Sequence, residues 1–236
     1  MPNWTTNIMT INGPQEEINK LMSHIIGEDG EIDFNTLIPM PEELRDTHAG
    51  SDQIMQRGFN LENFSMNENY SINQQSVENH LKDGKTQEEV DAIIAEEKRL
   101  IDLYGHTNWY DWSLENWDTK WNADDTFIKE DNTIIFQTAW SAPVKVFDKL
   151  FELYPNLQFV IDSEFEGDDT GVRFVSRGEQ PGIAYDTVKM LIDENGNKFS
   201  NDDVSWDDEN DKYILPNGQM LGIEDFCGLD YEYEII

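Results

Sequence analysis

Read from the N-terminus, the alternation of apolar and polar residues predicts a β-α-β unit. The run WTTNIMTING, residues 4–13, reads as a strand with Ile8 and Ile11 near its ends, closed by the turn Asn12-Gly13. Pro14 then stands at the first position of a helix, where its missing N–H costs nothing. In PQEEINKLMSHII, residues Ile18, Leu21, Met22, Ile25 and Ile26 recur at three- and four-residue spacing and so line one helical face, and GEDG stops it. EIDFNTLIPMP alternates Ile32, Phe34 and then Leu37, the pattern of a half-buried strand.

The same order returns later. NTIIFQTAW is a β-rich run, SAPVKVFDKLFELYP is a helix with Ser141 as its N-cap and Val144, Phe147, Leu150, Phe151 and Tyr154 on one stripe, and NLQFVIDSEF is a strand. Two β-α-β units in one chain predict an α+β fold: a ferredoxin-like split β-α-β sandwich, an antiparallel sheet with two helices on one face. We expect this domain over residues 1–172, with an insert of about residues 45–122 between the two units. The insert opens with the Asn-rich NLENFSMNENYSINQQS, read as loop or short helical turns. It continues into TQEEVDAIIAEEKRLIDLYG, a helix with a capping signature at Thr86 and Glu89, an apolar stripe of Val90, Ile93, Ile94, Leu100, Ile101 and Tyr104, and Gly105 as its end. Residues 173–236 change texture. GVRFVS, TVKMLI, KYILP, QMLGIEDF and YEYEII are short β-like runs, with Asn195-Gly196 and Asn217-Gly218 as hairpin turns, so a β-meander is expected that extends the first sheet or stands as a subdomain.

Charge changes the picture most. The chain carries 49 acids and 16 bases, a formal net charge of -33, yet its hydrophobic content of 38% and seven tryptophans belong to a folded protein and not to an acidic tail. The acid is spread over both halves of the chain. Such a field repels phosphates and anionic lipid, which argues against direct nucleic-acid or membrane binding and for a basic protein partner. The single cysteine, Cys227, has no partner for an internal disulfide, and His24, His48, His80 and His106 lack metal-ligand spacing. With no apolar run long enough to span a bilayer and no leader-like N-terminus, a cytoplasmic location is expected.

Four tryptophans fall in WYDWSLENWDTKWN: Trp109, Trp112, Trp117 and Trp121. On a helix the first two and the last two share faces approximately, with a turn expected at Asn116–Asp118. Aromatics are more often core than surface, so most are expected to pack beneath the insert. Lys120, if held among them, becomes a cation-π partner. DENGNKFSNDD resembles a calcium loop only superficially, because Lys198 takes the place of the required glycine and Val204 that of the terminal glutamate. There is no Gly-rich phosphate loop, nucleophile elbow or HExxH pattern, so we expect neither an enzyme nor a cofactor.

PNWTTNIMTINGP, WSLENWDTKW, FQTAWSAPVKVFDKLFELYPNLQF and the later GDDTG together resemble the YubB-like (Api-type) family of phage and plasmid proteins, over most of residues 2–172. Asp118 stands where that family has glycine after Asn-Trp. The resemblance implies a ferredoxin-like core and a mobile-element origin, brings no catalytic residues, and implies an interior place for Trp117, Trp121 and Trp140.

The function expected from these features is that of a strongly acidic, non-enzymatic phage protein. It would inhibit a host defence nuclease complex, of anti-CRISPR or anti-restriction type, in the host cell cytoplasm by occupying a basic nucleic-acid-binding surface, as a DNA mimic. The contact residues expected are Asp168, Asp169, Asp202, Asp203, Asp207, Asp208, Glu209 and Asp211. The alternative is an accessory interaction protein that grips its partner through insert aromatics, Trp109 and Trp112, with the charge serving solubility.

Overall fold

The first strand, β1 (Trp4–Asn12), has a strict alternation of burial in which Thr5, Asn7, Met9 and Ile11 point inward. In this computed structural model the described residues are 3–50, 53–60, 65–167, 170–177, 180–192, 195–200, 203–207, 210, 212–222 and 228–235. The chain divides into two compact units, one of Met1–Leu37 with Asn122–Ile236 and one of Ile38–Trp121. After β1, Pro14 caps α1 (Gln15–Ile25), whose Ile18, Leu21 and Ile25 are buried.

The strand expected in EIDFNTLIPMP does not form. Ile32 makes an isolated bridge to Ile26, and Phe34–Thr36 is a 3-10 turn. The reason lies in side chains that take the backbone donors a ladder would need. Ile32 N–H donates to Thr126 Oγ1 at 3.2 Å and Phe34 N–H to Asn122 Oδ1 at 2.8 Å, while Asp33 Oδ1 accepts from Asn35 N–H and from Asn122 Nδ2, both at 2.9 Å.

The second unit begins with the short helix α2 (Glu42–Arg45). The Asn-rich piece expected as loop is instead a hairpin, β2 (Met55–Asn60) with β3 (Ser65–Ile72), paired Met55 to Ile72 and Arg57 to Tyr70, with an irregularity between Arg57 and Phe59. Polar groups hold it where apolar alternation is lacking. The Arg57 guanidinium lies 5.0 Å from the Tyr70 ring centre, Asn73 N–H donates to Ile54 C=O at 2.8 Å, and Asn73 Nδ2 donates to Gln56 Oε1 at 2.7 Å. Asn73 also caps α3 (Gln74–Lys82). Then α4 (Gln87–Tyr104) runs from a complete capping box, Thr86 with Glu89, to Gly105 in the left-handed region at φ 77°. On its inner face Glu97 is buried alongside Val90 and Leu100, and it accepts hydrogen bonds from the N–H groups of Ile54 (3.1 and 3.2 Å) and Met55 (2.6 Å).

Helix α5 (Trp109–Trp117) carries three of the tryptophans on one continuous segment, capped by Asn108, so the turn comes only at Asp118. Asp118 sits at φ 61°, the left-handed conformation that aspartate tolerates better than most residues. This explains how it serves where glycine was expected.

Returning to the first unit, β4 (Asp124–Ile128) and β5 (Thr133–Ala139) form a hairpin. Helix α6 (Val144–Leu153) buries Val146, Phe147, Leu150 and Phe151. It starts after Pro143 with no side-chain cap; the carbonyl of Ser141, the cap expected, accepts from Thr138 Oγ1 at 2.8 Å. There follow β6 (Gln158–Phe165), β7 (Thr170–Arg177), β8 (Gln180–Ile192), β9 (Lys198–Phe199), β10 (Ser205–Asp207), β11 (Lys212–Ile214), β12 (Met220–Leu221) and β13 (Gly228–Ile235). The main sheet has the order β13-β8-β7-β6-β1-β5-β4, with β9 paired to β8, while β10-β11-β12 is a separate small sheet.

Within the main sheet the stretch β6-β1-β5-β4, all antiparallel neighbours, is the ferredoxin-like arrangement. Its second strand is therefore β4. This corrects the expected place of the insert, which lies inside the first β-α-β unit, between α1 and β4, and not between the two units. Across the buried face Asn7 ties three strands together: its Nδ2 donates to Thr138 Oγ1 at 2.9 Å and its Oδ1 accepts from Ser163 Oγ at 2.7 Å. A buried amide satisfied from both sides fixes strand register.

Candidate interaction surface

In the first unit, the loop after α1 and the approach to β4 enclose a cleft of ≈ 580 Å³ lined by Gly27, Glu28, Asp29, Glu31, Ile32, Asp33, Asn35, Asn122, Ala123 and Asp124. Its acids are positioned by local bonds. Asp29 Oδ1 accepts from Glu31 N–H at 3.1 Å, and Glu31 Oε2 accepts from Thr126 N–H at 2.7 Å. Carboxylates held this way on a concave wall focus a negative potential outward. No local pattern announces the cleft, since its two halves lie far apart in the chain.

The acidic contact residues fare unevenly. Asp168, Asp169, Asp202, Asp208, Glu209 and Asp211 lie outside the described residues. Asp203 is exposed and accepts from Ser200 N–H at 2.9 Å and Ser200 Oγ at 2.8 Å; these hydrogen bonds hold its carboxyl below the usual range. Asp207, on β10, accepts from Asn210 N–H at 3.2 Å and Asn210 Nδ2 at 2.9 Å. Both carboxylates order turns.

The tryptophans divide. Trp112 is only 6% exposed and packs edge-to-face on Trp117, ring centres 5.4 Å apart, so the reading of Trp112 as a partner grip is corrected: its ring belongs to the interior of the second unit. Trp117 Nε1 donates to Ile38 C=O at 2.9 Å. Trp109 is half-buried, and its ring meets Tyr110 at 5.8 Å. The interior place implied for Trp121 and Trp140 is also corrected, since both are exposed. Trp121 follows the Asp118 turn, with the Lys120 ammonium 4.4 Å from its ring centre, the cation-π contact expected of that lysine. Trp140 leaves β5 at φ 76°, which takes its side chain out of the strand's alternation.

Sequence reasoning missed a polar cluster in the second unit. Arg57 Nη1 donates to Glu115 Oε2 at 2.8 Å and Nη2 to Gly105 C=O at 3.2 Å, with His106 Nε2 3.7 Å from the same Glu115 oxygen. His106 is buried, and burial holds its imidazole below the usual histidine range; the Glu115 carboxylate opposes this and the Arg57 charge adds to it. Sequence also missed the aromatic pair on the small sheet. Trp206 opposes Tyr213 across β10 and β11, ring centres 4.8 Å apart at 72°, with Trp206 45% exposed.

Among the described residues no group of three His, Cys, Asp or Glu side chains is placed to hold a metal ion, and no helix is long and apolar enough to cross a membrane. Helices and an antiparallel sheet in this order define a ferredoxin-like α+β protein with an acidic exterior. Residues 116–211 match the family model described as the ferredoxin-like domain in Api92-like protein. No curated protein and no solved structure matches the chain.

Proposed function

We propose that the protein is a non-enzymatic, strongly acidic phage-encoded binding protein of the cytoplasm. It inhibits a host defence nuclease complex, of anti-CRISPR or anti-restriction type, by occupying the basic surface that would otherwise bind nucleic acid. One observation carries this reading: the excess of acids over bases is so large that pairing every base would still leave a net charge of -33. The local ion pairs, such as Lys20 with Glu17, Lys149 with Glu152 and Arg173 with Asp162, are already counted in that pairing and take nothing from the excess. The cleft around Glu28, Asp29, Glu31, Asp33 and Asp124 gathers part of the remainder on one concave wall. Attraction of this kind steers association with a basic groove and weakens steeply with salt.

The test is DNA loading of a purified RNA-guided nuclease, of the kind that holds its heteroduplex in a positively charged channel, with and without the protein. Loading is expected to be blocked at low salt and restored at high salt, and the charge reversal of Asp207, Asp208 and Glu209 to lysine is expected to weaken the block. Unimpaired loading at low salt for both an RNA-guided nuclease and a restriction enzyme would refute the reading. The second reading, an accessory protein that binds through aromatics, draws support from the exposed rings of Trp121, Trp140 and Trp206. It predicts binding that persists at high salt.

A further inference from the structure

The seam between the β2-β3 hairpin and α5 is closed with its hydrogen bonding incomplete. His106 is 4% exposed and its Nδ1 has no hydrogen-bond partner; Nε of Arg57 is buried in the same condition. Both side chains converge on one oxygen, Oε2 of Glu115, with Arg57 Nη1 at 2.8 Å and His106 Nε2 at 3.7 Å. Buried polar groups are nearly always paired, so two orphans around a single carboxylate mark a contact held shut at a cost. The charged groups that reach His106 are Glu115 and Asp111 from α5 and Arg57 from β2, and Arg57 is in turn braced on the Tyr70 ring of β3.

A neutral imidazole tolerates this place; a protonated one does not. Protonation makes both ring nitrogens donors. The Nδ1–H then finds no acceptor inside the seam, and a second cation stands beside the Arg57 guanidinium with one carboxylate oxygen to share. Asp111 offers little relief, because its Oδ2 already accepts from Asn108 Nδ2 at 2.8 Å. Glu115 attracts the proton, but its side chain is 53% exposed and solvent screens the pull. Opening the seam gives Nδ1–H water and separates the two cations.

We propose that His106 is a proton-operated latch, and that a proton on its ring frees the Arg57–Tyr70 part of the β2-β3 hairpin from α5. The base of the hairpin does not follow, because Glu97 on α4 still holds the N–H groups of Ile54 and Met55. A two-stranded hairpin detached from its support is only marginally stable in water, so its own pairing loosens on release. The latch is independent of which partner the acidic exterior binds.

The test is amide hydrogen exchange on the full chain between about pH 7.5 and pH 5.5, expressed as protection relative to the intrinsic rate at each pH. Residues 56–60 and 65–71 are expected to lose protection about threefold to tenfold, the range that one proton supplies when the ordinary histidine value is near 6.5. Ile54, Met55, α4 and β1 are expected to keep theirs. His106→Leu should hold the hairpin's protection constant across the range, and His106→Gln, polar but without a titration, should do the same. Hairpin protection that stays constant in the wild-type protein, or that falls only in step with α4 and β1, overturns the latch whether or not the variants fold. An equal fall in either folded variant overturns the assignment to His106.

Discussion

Glu97 offers the sharpest test of how the second unit is held together. Its carboxylate, on the apolar stripe of α4, accepts the N–H groups of Ile54 and Met55 at the entry to the β2-β3 hairpin. Ile54 is fully buried and Met55 nearly so, so no solvent replaces these acceptors if Glu97 is cut back to alanine. Each stranded donor costs about 1–3 kcal/mol, and two of them bound the loss at about 2–6 kcal/mol, reduced by whatever the buried carboxylate itself cost. At about 2–4 °C per kcal/mol for a chain of this size, Glu97→Ala should lower the melting temperature by several degrees. Amide exchange at Ile54 and Met55 should accelerate in parallel. The sign of the pH dependence follows from burial, which raises the Glu97 carboxyl above the usual glutamate range against the opposing pull of the two backbone hydrogen bonds. A carboxyl raised in the folded state binds its proton more readily there than in the unfolded chain. Its contribution is therefore complete below the ordinary glutamate value and declines as pH rises through the folded one. Glu97→Gln should remove that slope. A variant with an unchanged melting temperature and unchanged exchange at Ile54 and Met55 would refute the pin.

Two further outcomes follow from burial. Trp112→Ala should cost about 3–5 kcal/mol, the usual loss for a buried large aromatic, and thermal unfolding reads it directly; a shift near zero would mean that the ring faces solvent after all. His106 is depressed chiefly by burial, so the unfolded chain takes up its proton first as pH falls. Stability should decline from about pH 6.5 downward through the lower folded value, a trend that His106→Leu should flatten in melting curves compared at neutral and mildly acidic pH.

How much of this could be read from residues alone depended on whether the signal was local. The capping box at Thr86 and Glu89, the stop at Gly105 and the turn at Asn217-Gly218 are complete within a few residues, and each appears where its pattern lies. The stripes of α1 and α6 were equally plain because period and burial agree. The β2-β3 hairpin was invisible because Arg57, Tyr70, Asn73 and Glu97 replace the apolar alternation by which strands are recognised. EIDFNTLIPMP misled for the converse reason: its alternation is real, but Asn122 and Thr126, distant in sequence, take the donors a ladder needs. That displacement hid the true second strand, β4, whose pattern DDTFI is mostly exposed. The sites suffered similarly. Acidic runs announce themselves in composition, whereas the exposure of Trp206 and Trp140 and the burial of Trp112 depend on what lies across a strand pair or beneath a helix.

The position of the insert has a consequence for synthesis on the ribosome. Strand β1 leaves the exit tunnel first, yet its two neighbours, β5 and β6, are encoded more than a hundred residues later. At about 5–20 residues per second β1 waits on the order of ten seconds without a hydrogen-bonding neighbour. In that interval all of Ile38–Trp121 is translated and can fold as a compact body of its own. The nascent chain thus completes its middle before its beginning, and shortening that middle should hasten closure of the sheet around β1.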